Sequence, residues 1–309
     1  MKIPFYLVTG FLGSGKTTFL KQFLSQHSAN KRIAVIQNEF ASTNIDGTEL
    51  KDAKFKFSLL ELNQGSVFCV CLFSGFKENL LQLLQESSPD LVLLEATGIA
   101  DPIAIAQLFE DVRLKDLLYI AHIWCIIDAP RYVVMGQSVK CIRHQIEVAD
   151  TILINKIDLI TKIQLQDIDI DIRSVNPFGR IEHVKYCQSN TNKIVDAFIR
   201  PLSIVEKQKI KGNLTLCGEG NYQSQVFKTT QLIEEKKLYH FLKSLDDTTF
   251  RLKGYIQLDD DRCVMVQYVP CQFEVVDTSN KKHPTELVAI GIKLINFENY
   301  LLELTEEVK

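Results

Sequence analysis

Short apolar runs of strand length recur along residues 1–200, separated by stretches with helical spacing. The runs Ile3 to Val8, Arg32 to Gln37, Leu91 to Leu94, Ala121 to Ile127 and Thr151 to Ile154 read as continuously apolar rather than alternating. A strand wetted on one face needs a polar residue at every second position. Continuous runs instead suit strands covered on both faces, as in a parallel sheet. Helical patterns follow Gly15 and span Phe76 to Gln85 and Gln137 to Val148. The pattern predicts an α/β, doubly wound, mainly parallel sheet domain over residues 1–200.

After Arg200-Pro201 the texture changes. Residues 203 to 224 carry Lys, Gly, Asn and Ser without a clear period and read as irregular connection, so a linker is placed at 201–222. A smaller α+β domain is expected over 223–309. Its strands are predicted at Val226 to Thr230, Phe250 to Leu258, Arg262 to Val269, Gln272 to Val276 and Leu287 to Ile295. Its helices are predicted at Ile233 to Leu245 and Phe297 to Thr305. Arg251 and Lys253 flank Leu252 at strand period and so share one face, read as a solvated sheet face with a docking patch as the other reading.

Composition narrows the class. The eight cysteines (69, 71, 125, 141, 187, 217, 263, 271) are scattered through 309 residues and read as reduced, mostly buried thiols rather than a disulfide framework. A formal net charge of −3 leaves no basic footprint for nucleic acid. No window approaches the about eighteen uninterrupted apolar residues that a spanning helix needs, so no membrane partner is expected. Met1-Lys2 before an apolar stretch imitates a secretory signal, but Lys16 and the lack of a small-residue cleavage site argue against one. The expected location is cytoplasmic. The six histidines (27, 122, 144, 183, 240, 283) are isolated and read as packed or surface imidazoles. His122, Trp124 and Cys125 lie in an apolar strand and are assigned to the core.

Three motifs carry chemistry. Gly10-Phe11-Leu12-Gly13-Ser14-Gly15-Lys16-Thr17-Thr18 follows a strand and opens a helix, the context of a phosphate-binding loop. Backbone N–H groups there turn inward around phosphate oxygens, Lys16 reaches the β and γ phosphates, and the Thr17 hydroxyl ligates Mg²⁺. Asn155-Lys156-Ile157-Asp158 ends a buried strand as a guanine-recognition arrangement. The Asp158 carboxylate accepts from both the ring N–H and the exocyclic amine of guanine, a donor pair that adenine lacks, so GTP is favoured over ATP. Finally, the strand ending at Glu95 delivers a carboxylate where Mg²⁺ and a γ phosphate belong, either on the cation or through a water, and Gly98 offers a backbone N–H to that phosphate. Lys16 and Glu95 are the expected catalytic residues. Asp128-Ala129-Pro130 ends another strand near the same face.

With these residues in view, the chain resembles the CobW family of P-loop GTPases. Gly10 to Thr18, Asn38-Glu39-Phe40, Glu95-Ala96-Thr97-Gly98 and Asn155 to Asp158 match that family's pattern. Ile45-Asp46-Gly47 resembles its switch region, and Arg251 to Gly254 with Ile290-Gly291 resembles its C-terminal domain. The resemblance implies GTP hydrolysis coupled to handing a transition metal, zinc or cobalt, to a client metalloprotein, with self-association open. Family members carry a Cys-x-Cys-Cys motif after an Asn-Gly pair. Here the stretch reads Asn63-Gln64-Gly65-Ser66-Val67-Phe68-Cys69-Val70-Cys71, and only Cys69 aligns with a motif cysteine.

A tetrahedral zinc site needs four ligands, or three and a water. Cys69 and Cys71 supply two thiolates, and Glu39 a carboxylate or an outer contact. The other reading of the pair is two small buried apolar residues. In the expected mechanism, Mg²⁺ and GTP organise Asn38 to Cys71 around the γ phosphate and assemble a metal site that hydrolysis loosens. Two other classes stand beside it: a G protein that gates a client without carrying metal, and, less favoured, a small-molecule kinase.

Overall fold

The continuous apolar runs of the first unit are the strands of one seven-stranded sheet. In this computed structural model the described residues are 2–38, 57–62, 70–96, 98, 111–135, 140–197, 222–245, 249–269, 272–278 and 284–292. Chain contacts divide the protein into Met1–Arg200 and Pro201–Lys309.

In the first unit the strands are β1 (Ile3–Gly10), β2 (Ile33–Asn38), β3 (Ser58–Leu62), β4 (Leu91–Glu95), β5 (Leu118–Asp128), β6 (Thr151–Asn155) and β7 (Arg180–Val184). They stand in the order β3-β2-β4-β1-β5-β6-β7, and every neighbouring pair is parallel. All five residues of β4 and of β6 are buried, as strands covered on both faces require. The helices are α1 (Lys16–His27), α2 (Val70–Ser87), α3 (Val112–Leu117), α4 (Ala129–Met135), α5 (Lys140–Val148), α6 (Lys162–Val175) and α7 (Asn192–Ala197).

Helix α1 buries Phe19, Leu20, Phe23, Leu24 and His27, one stripe at helical spacing. Its rings meet the sheet at Trp124, with centroids 5.2 Å from Phe19 and 5.8 Å from Phe23, while Tyr6 stacks on the same indole at 5.6 Å. His122, Trp124 and Cys125 are all buried there, as the apolar run predicts. A second core gathers Cys125, Tyr132, Ile146, Ile152, Ile154, Ile168 and Ile172.

Six elements of this unit lie outside the sequence expectations: β3, β7, α3, α4, α6 and α7. Helix α6 starts on a capping box in which Gln164 N–H donates to Thr161 Oγ1 and Thr161 N–H donates to Gln164 Oε1. The predicted helix at Phe76 begins earlier, at Val70, and the predicted start at Gln137 lies outside the described residues.

The second unit contains β8 (Tyr222–Thr229), α8 (Glu235–Ser244), β9 (Thr249–Gln257), β10 (Cys263–Val269), β11 (Gln272–Asp277) and β12 (Thr285–Ile292). Its sheet runs β11-β10-β9-β12-β8 with every pair antiparallel. One face packs on α8: Leu238, Phe241 and Leu242 lie against Leu252, Ile256, Val266, Leu287 and Ala289.

Two expectations need correction here. Strand β8 begins at Tyr222, paired with Ile292, so residues 222–224 are strand rather than irregular connection. Lys253 is only 9% exposed and does not stand on a solvated face. It occupies the central strand of five, with Gln267 and Val288 opposite in the two flanking strands, and these neighbours cover its aliphatic stem. The predicted Phe297 to Thr305 helix lies outside the described residues.

Candidate functional site

Because all strands of the first sheet point one way, their carboxyl ends share one edge, where α/β sheets bind ligands. Gly10, Asn38, Glu95, Asp128 and Asn155 close five of these strands. The register sets Glu95 beside Val8 and Gln37, and Asp128 beside Asn155.

The loop from Gly10 to Gly15 joins β1 to α1. Gly10, Gly13 and Gly15 have φ of 141°, 76° and 111°, a region that favours glycine. A Cβ at Gly10 would strike the Ile126 carbonyl, and one at Gly15 would lie 2.7 Å from both Asn155 Nδ2 and Cys187 Sγ. Six consecutive carbonyls of this loop accept side-chain hydrogen bonds. Lys16 Nζ donates to Gly10 O (3.0 Å) and Phe11 O (3.2 Å), Arg131 Nη1 to Leu12 O (2.7 Å), and Lys156 Nζ to Gly13 O (2.8 Å). Asn155 Nδ2 donates to Ser14 O (2.9 Å) and the Cys187 thiol to Gly15 O (3.2 Å). Ser14 N–H donates to Phe11 O (3.1 Å), and a glycine turn of this kind presents further backbone N–H groups to anions as a nest. Ser14 Oγ is buried there without a hydrogen-bond partner among the described residues.

Beside the loop, Thr17 Oγ1 donates to Glu95 Oε1 (3.3 Å) and Gln37 Nε2 donates to Glu95 Oε2 (3.0 Å). Glu95 and Gln37 are 8% and 5% exposed. A hydroxyl and a carboxylate side by side are the hard oxygen donors that suit Mg²⁺, and Gln37 Oε1 is a further buried oxygen without a partner among the described residues. These residues fit the cation. Gly98 lies against the same loop, where an added Cβ would come 2.5 Å from Leu12 N.

At the other end, β6 finishes at Asn155, Lys156 takes a left-handed conformation (φ 62°), and Asp158 sits exposed in the 3-10 turn Ile157–Leu159. Buried Asp128 accepts from Lys156 Nζ at 2.6 Å and from the Arg131 backbone N–H at 3.2 Å, and pairs with the Arg131 guanidinium at 3.9 Å, so it holds two of the residues that anchor the loop. The segment after β7 is strapped to α1. Gln22 Nε2 donates to Tyr186 O (2.5 Å), Gln26 Nε2 to Ser189 O (2.8 Å), and His27 bonds Thr191 Oγ1 (2.7 Å). Within it Cys187 N–H donates to Asn155 Oδ1 (3.0 Å), and burial pushes the Cys187 thiol up to about 12, so it acts as a neutral donor.

Thus Gly10, Gly13, Ser14, Gly15, Lys16, Thr17, Glu95, Gly98, Asn155 and Lys156 converge on one loop, with exposed Thr18 in the first turn of α1 and Asp158 farther out on the same edge. Glu39 and Cys69 lie outside the described residues, as does the Cys71 side chain at the start of α2. Among the described residues, no group of three or more His, Cys, Asp or Glu could hold a metal ion. Sequence reasoning did not find Gln37, Arg131 or Cys187. A glutamine at the end of the otherwise apolar run Ile33 to Ile36 was the available signal for the first.

Comparison with known proteins agrees with this geometry. The family described as CobW/HypB/UreG, nucleotide-binding domain, matches residues 4–181, and the cobalamin synthesis protein cobW C-terminal domain matches residues 222–300. The zinc-regulated GTPase metalloprotein activator 1 of Dictyostelium discoideum is 28% identical over 215 residues, covering 58% of this chain and 45% of that one. The zinc chaperone YeiR of Escherichia coli (strain K12) is 35% identical over 159 residues, covering 50% and 47%. The chain therefore spans roughly half the length of the curated relatives it matches. The crystal structure of the Zn(II)-bound YjiA GTPase from E. coli shares the fold, with a TM-score of 0.59 at 20% identity over 99% of this chain and 100% of that one. The parallel-sheet fold of the first unit and family matches over both units place this chain in the CobW/HypB/UreG family.

Proposed function

We propose that this protein is a cytoplasmic GTP hydrolase whose nucleotide state governs delivery of a transition metal, zinc or cobalt, to a client metalloprotein. The observation that carries the reading is the joint tethering of one loop: Lys16 folds onto it from α1, Asn155 and Lys156 bind it from β6, and the Thr17–Glu95 pair lies beside it.

In this reading Lys16 exchanges its two carbonyl partners for the β and γ phosphates of GTP, and the loop N–H groups hold the remaining phosphate oxygens. Asp158 accepts from the two guanine donors, while Asn155 fixes the turn against Ser14. Thr17 and Glu95 would hold Mg²⁺, which would supply positive charge against the negative charge of the phosphate oxygens. Hydrolysis joins a water oxygen to the γ phosphorus, breaks the bond to the β–γ bridging oxygen, and yields GDP, phosphate and a proton. The metal is cargo, with Cys69, Cys71 and Glu39 as its proposed ligands. A coupling of about 2.7 kcal/mol between nucleotide state and metal binding suffices to change metal affinity about 100-fold.

The test is a Zn²⁺ and Co²⁺ titration of the reduced protein with Mg²⁺ and a non-hydrolysable GTP analogue, repeated with GDP and with Cys69→Ser and Cys71→Ser. Tight binding that requires both the γ phosphate and the cysteines is the expected result. Equal or negligible binding in every condition overturns metal carriage and leaves a GTPase that gates its client, a reading favoured by the replacement of two motif cysteines by Ser66 and Phe68.

A further inference from the structure

The mechanism above leaves one buried group of the site without a task. Gln37 is 5% exposed, and its amide nitrogen donates to Glu95 Oε2. Its amide oxygen is buried with no hydrogen-bond partner among the described residues. Native interiors match buried acceptors with donors, and an exception in a site points to a donor supplied by something bound there. The residue's position makes that donor specific. Gln37 stands beside Glu95 in the β2–β4 register, and Glu95 is also held by Thr17, the hydroxyl on the first turn after the phosphate loop.

The two oxygens of Glu95 are thus gripped separately, one by an α1 hydroxyl and one by a β2 amide. Gln37 Nε2 can only donate, so it fixes the orientation of Glu95 through Oε2, and the partner-seeking Oε1 lies on the same side chain, within a single amide of the same carboxylate. Mg²⁺ dehydrates reluctantly and keeps several waters, each of which is a strong hydrogen-bond donor. We infer that Gln37 is a positioning residue of the Mg²⁺–nucleotide site: its Nε2 orients Glu95, and its Oε1 accepts a hydrogen bond from a water of the cation's hydration shell. This inference rests on the reading that the site takes a guanine nucleotide with Mg²⁺.

The experiment measures affinity for a fluorescent GDP and for a fluorescent non-hydrolysable GTP analogue across a Mg²⁺ series, from chelator to about 10 mM. It compares the wild-type chain with Gln37→Met, which keeps length and removes both polar atoms, and with Gln37→Asn, which keeps the amide but withdraws it by one methylene. For Gln37→Met the Mg²⁺ concentration giving half-maximal tightening rises about tenfold, the order expected for losing a contact outside the ligand shell. Affinity in chelator and the melting temperature in chelator stay near wild type. Gln37→Asn raises the Mg²⁺ midpoint in the same direction, because the withdrawn amide no longer spans Glu95 and the cation's water, while affinity in chelator again stays near wild type.

Unchanged Mg²⁺ midpoints in both variants overturn the inference. So does an equal fall in chelator affinity and melting temperature, which would make Gln37 a packing residue alone. If Gln37→Met fails to fold, the Mg²⁺ midpoint of Gln37→Asn decides by itself. A wild-type chain that binds neither nucleotide at any Mg²⁺ concentration instead overturns the GTPase reading, a result distinct from all of these.

Discussion

Each of the two units buries a lysine, and the contrast shows where chemistry resides in this chain. Lys16 is 8% exposed, and its ammonium bonds two carbonyls of a left-handed glycine loop at the edge where strands end. Lys253 is 9% exposed in the middle of a central antiparallel strand, between cross-strand neighbours. The first unit gathers Ser14, Lys16, Gln37, Glu95, Asp128 and Asn155 in buried positions along one edge, whereas the buried polar groups described in the second are Thr249, Lys253 and Thr285. A parallel sheet aligns its strand ends and so collects polar termini, while an antiparallel sheet divides them between two edges.

Exchanging each lysine for alanine sharpens that contrast most. Lys16→Ala is expected to weaken GTP binding by about 100-fold or more, the scale for removing one partner of a buried charge contact. Lys253→Ala is expected to lower the melting temperature, at a cost of about 1–2 kcal/mol, with GTP affinity held within about twofold. Calorimetric titration and thermal melting of both variants check the pair. An equal loss of GTP affinity in the two would break the comparison.

Asp158→Asn comes next. Its amide offers a donor where guanine presents a donor, so GTP affinity falls about 100-fold while xanthosine triphosphate, which presents a carbonyl there, gains. Competition between the two nucleotides reads this out. Asp128→Asn is smaller: Lys156 loses its 2.6 Å counter-charge but keeps Gly13 O, and GDP affinity falls about tenfold, or about 1.4 kcal/mol.

The smallest effect is on pH dependence. Burial pushes the thiols of Cys125 and Cys187 up to about 12 from the ordinary 9.0. The unfolded chain loses these protons first, so their contribution to stability is full below about pH 9 and is lost as pH rises toward about 12. Burial also lowers the pKa of His27 below 6.5, so the unfolded chain takes up this proton first and stability is lost as pH falls through that range. Denaturant midpoints measured from pH 5 to about 10 should therefore decline at both ends.

The sheet that carries the site was legible because its strands are buried on both faces and so write continuous apolar runs. The loop was legible because only glycine satisfies its backbone. Helix α6 was harder. Its segment Ile168-Asp169-Ile170-Asp171-Ile172 alternates like a strand, yet Ile168 and Ile172 are buried one turn apart while Ile170 is 70% exposed. The capping pair Thr161 and Gln164, rather than the apolar period, marked it as helix. Lys253 was misread for the complementary reason, since alternation says which residues share a face but not whether that face is covered. Gln37 and Cys187 act through neighbours distant in sequence, Glu95, Asn155 and Gly15, and a linear pattern holds no record of those pairings.

The four carbonyls of the loop held by Arg131, Lys156, Asn155 and Cys187 have a thermodynamic consequence. Peptide planes anchored from α4, the end of β6 and the segment after β7 are ordered when the chain folds, so an arriving anion meets amides that need little rotation. Loss of loop entropy is then charged to folding, and nucleotide association proceeds as docking into a finished cradle rather than as closure of a flexible one.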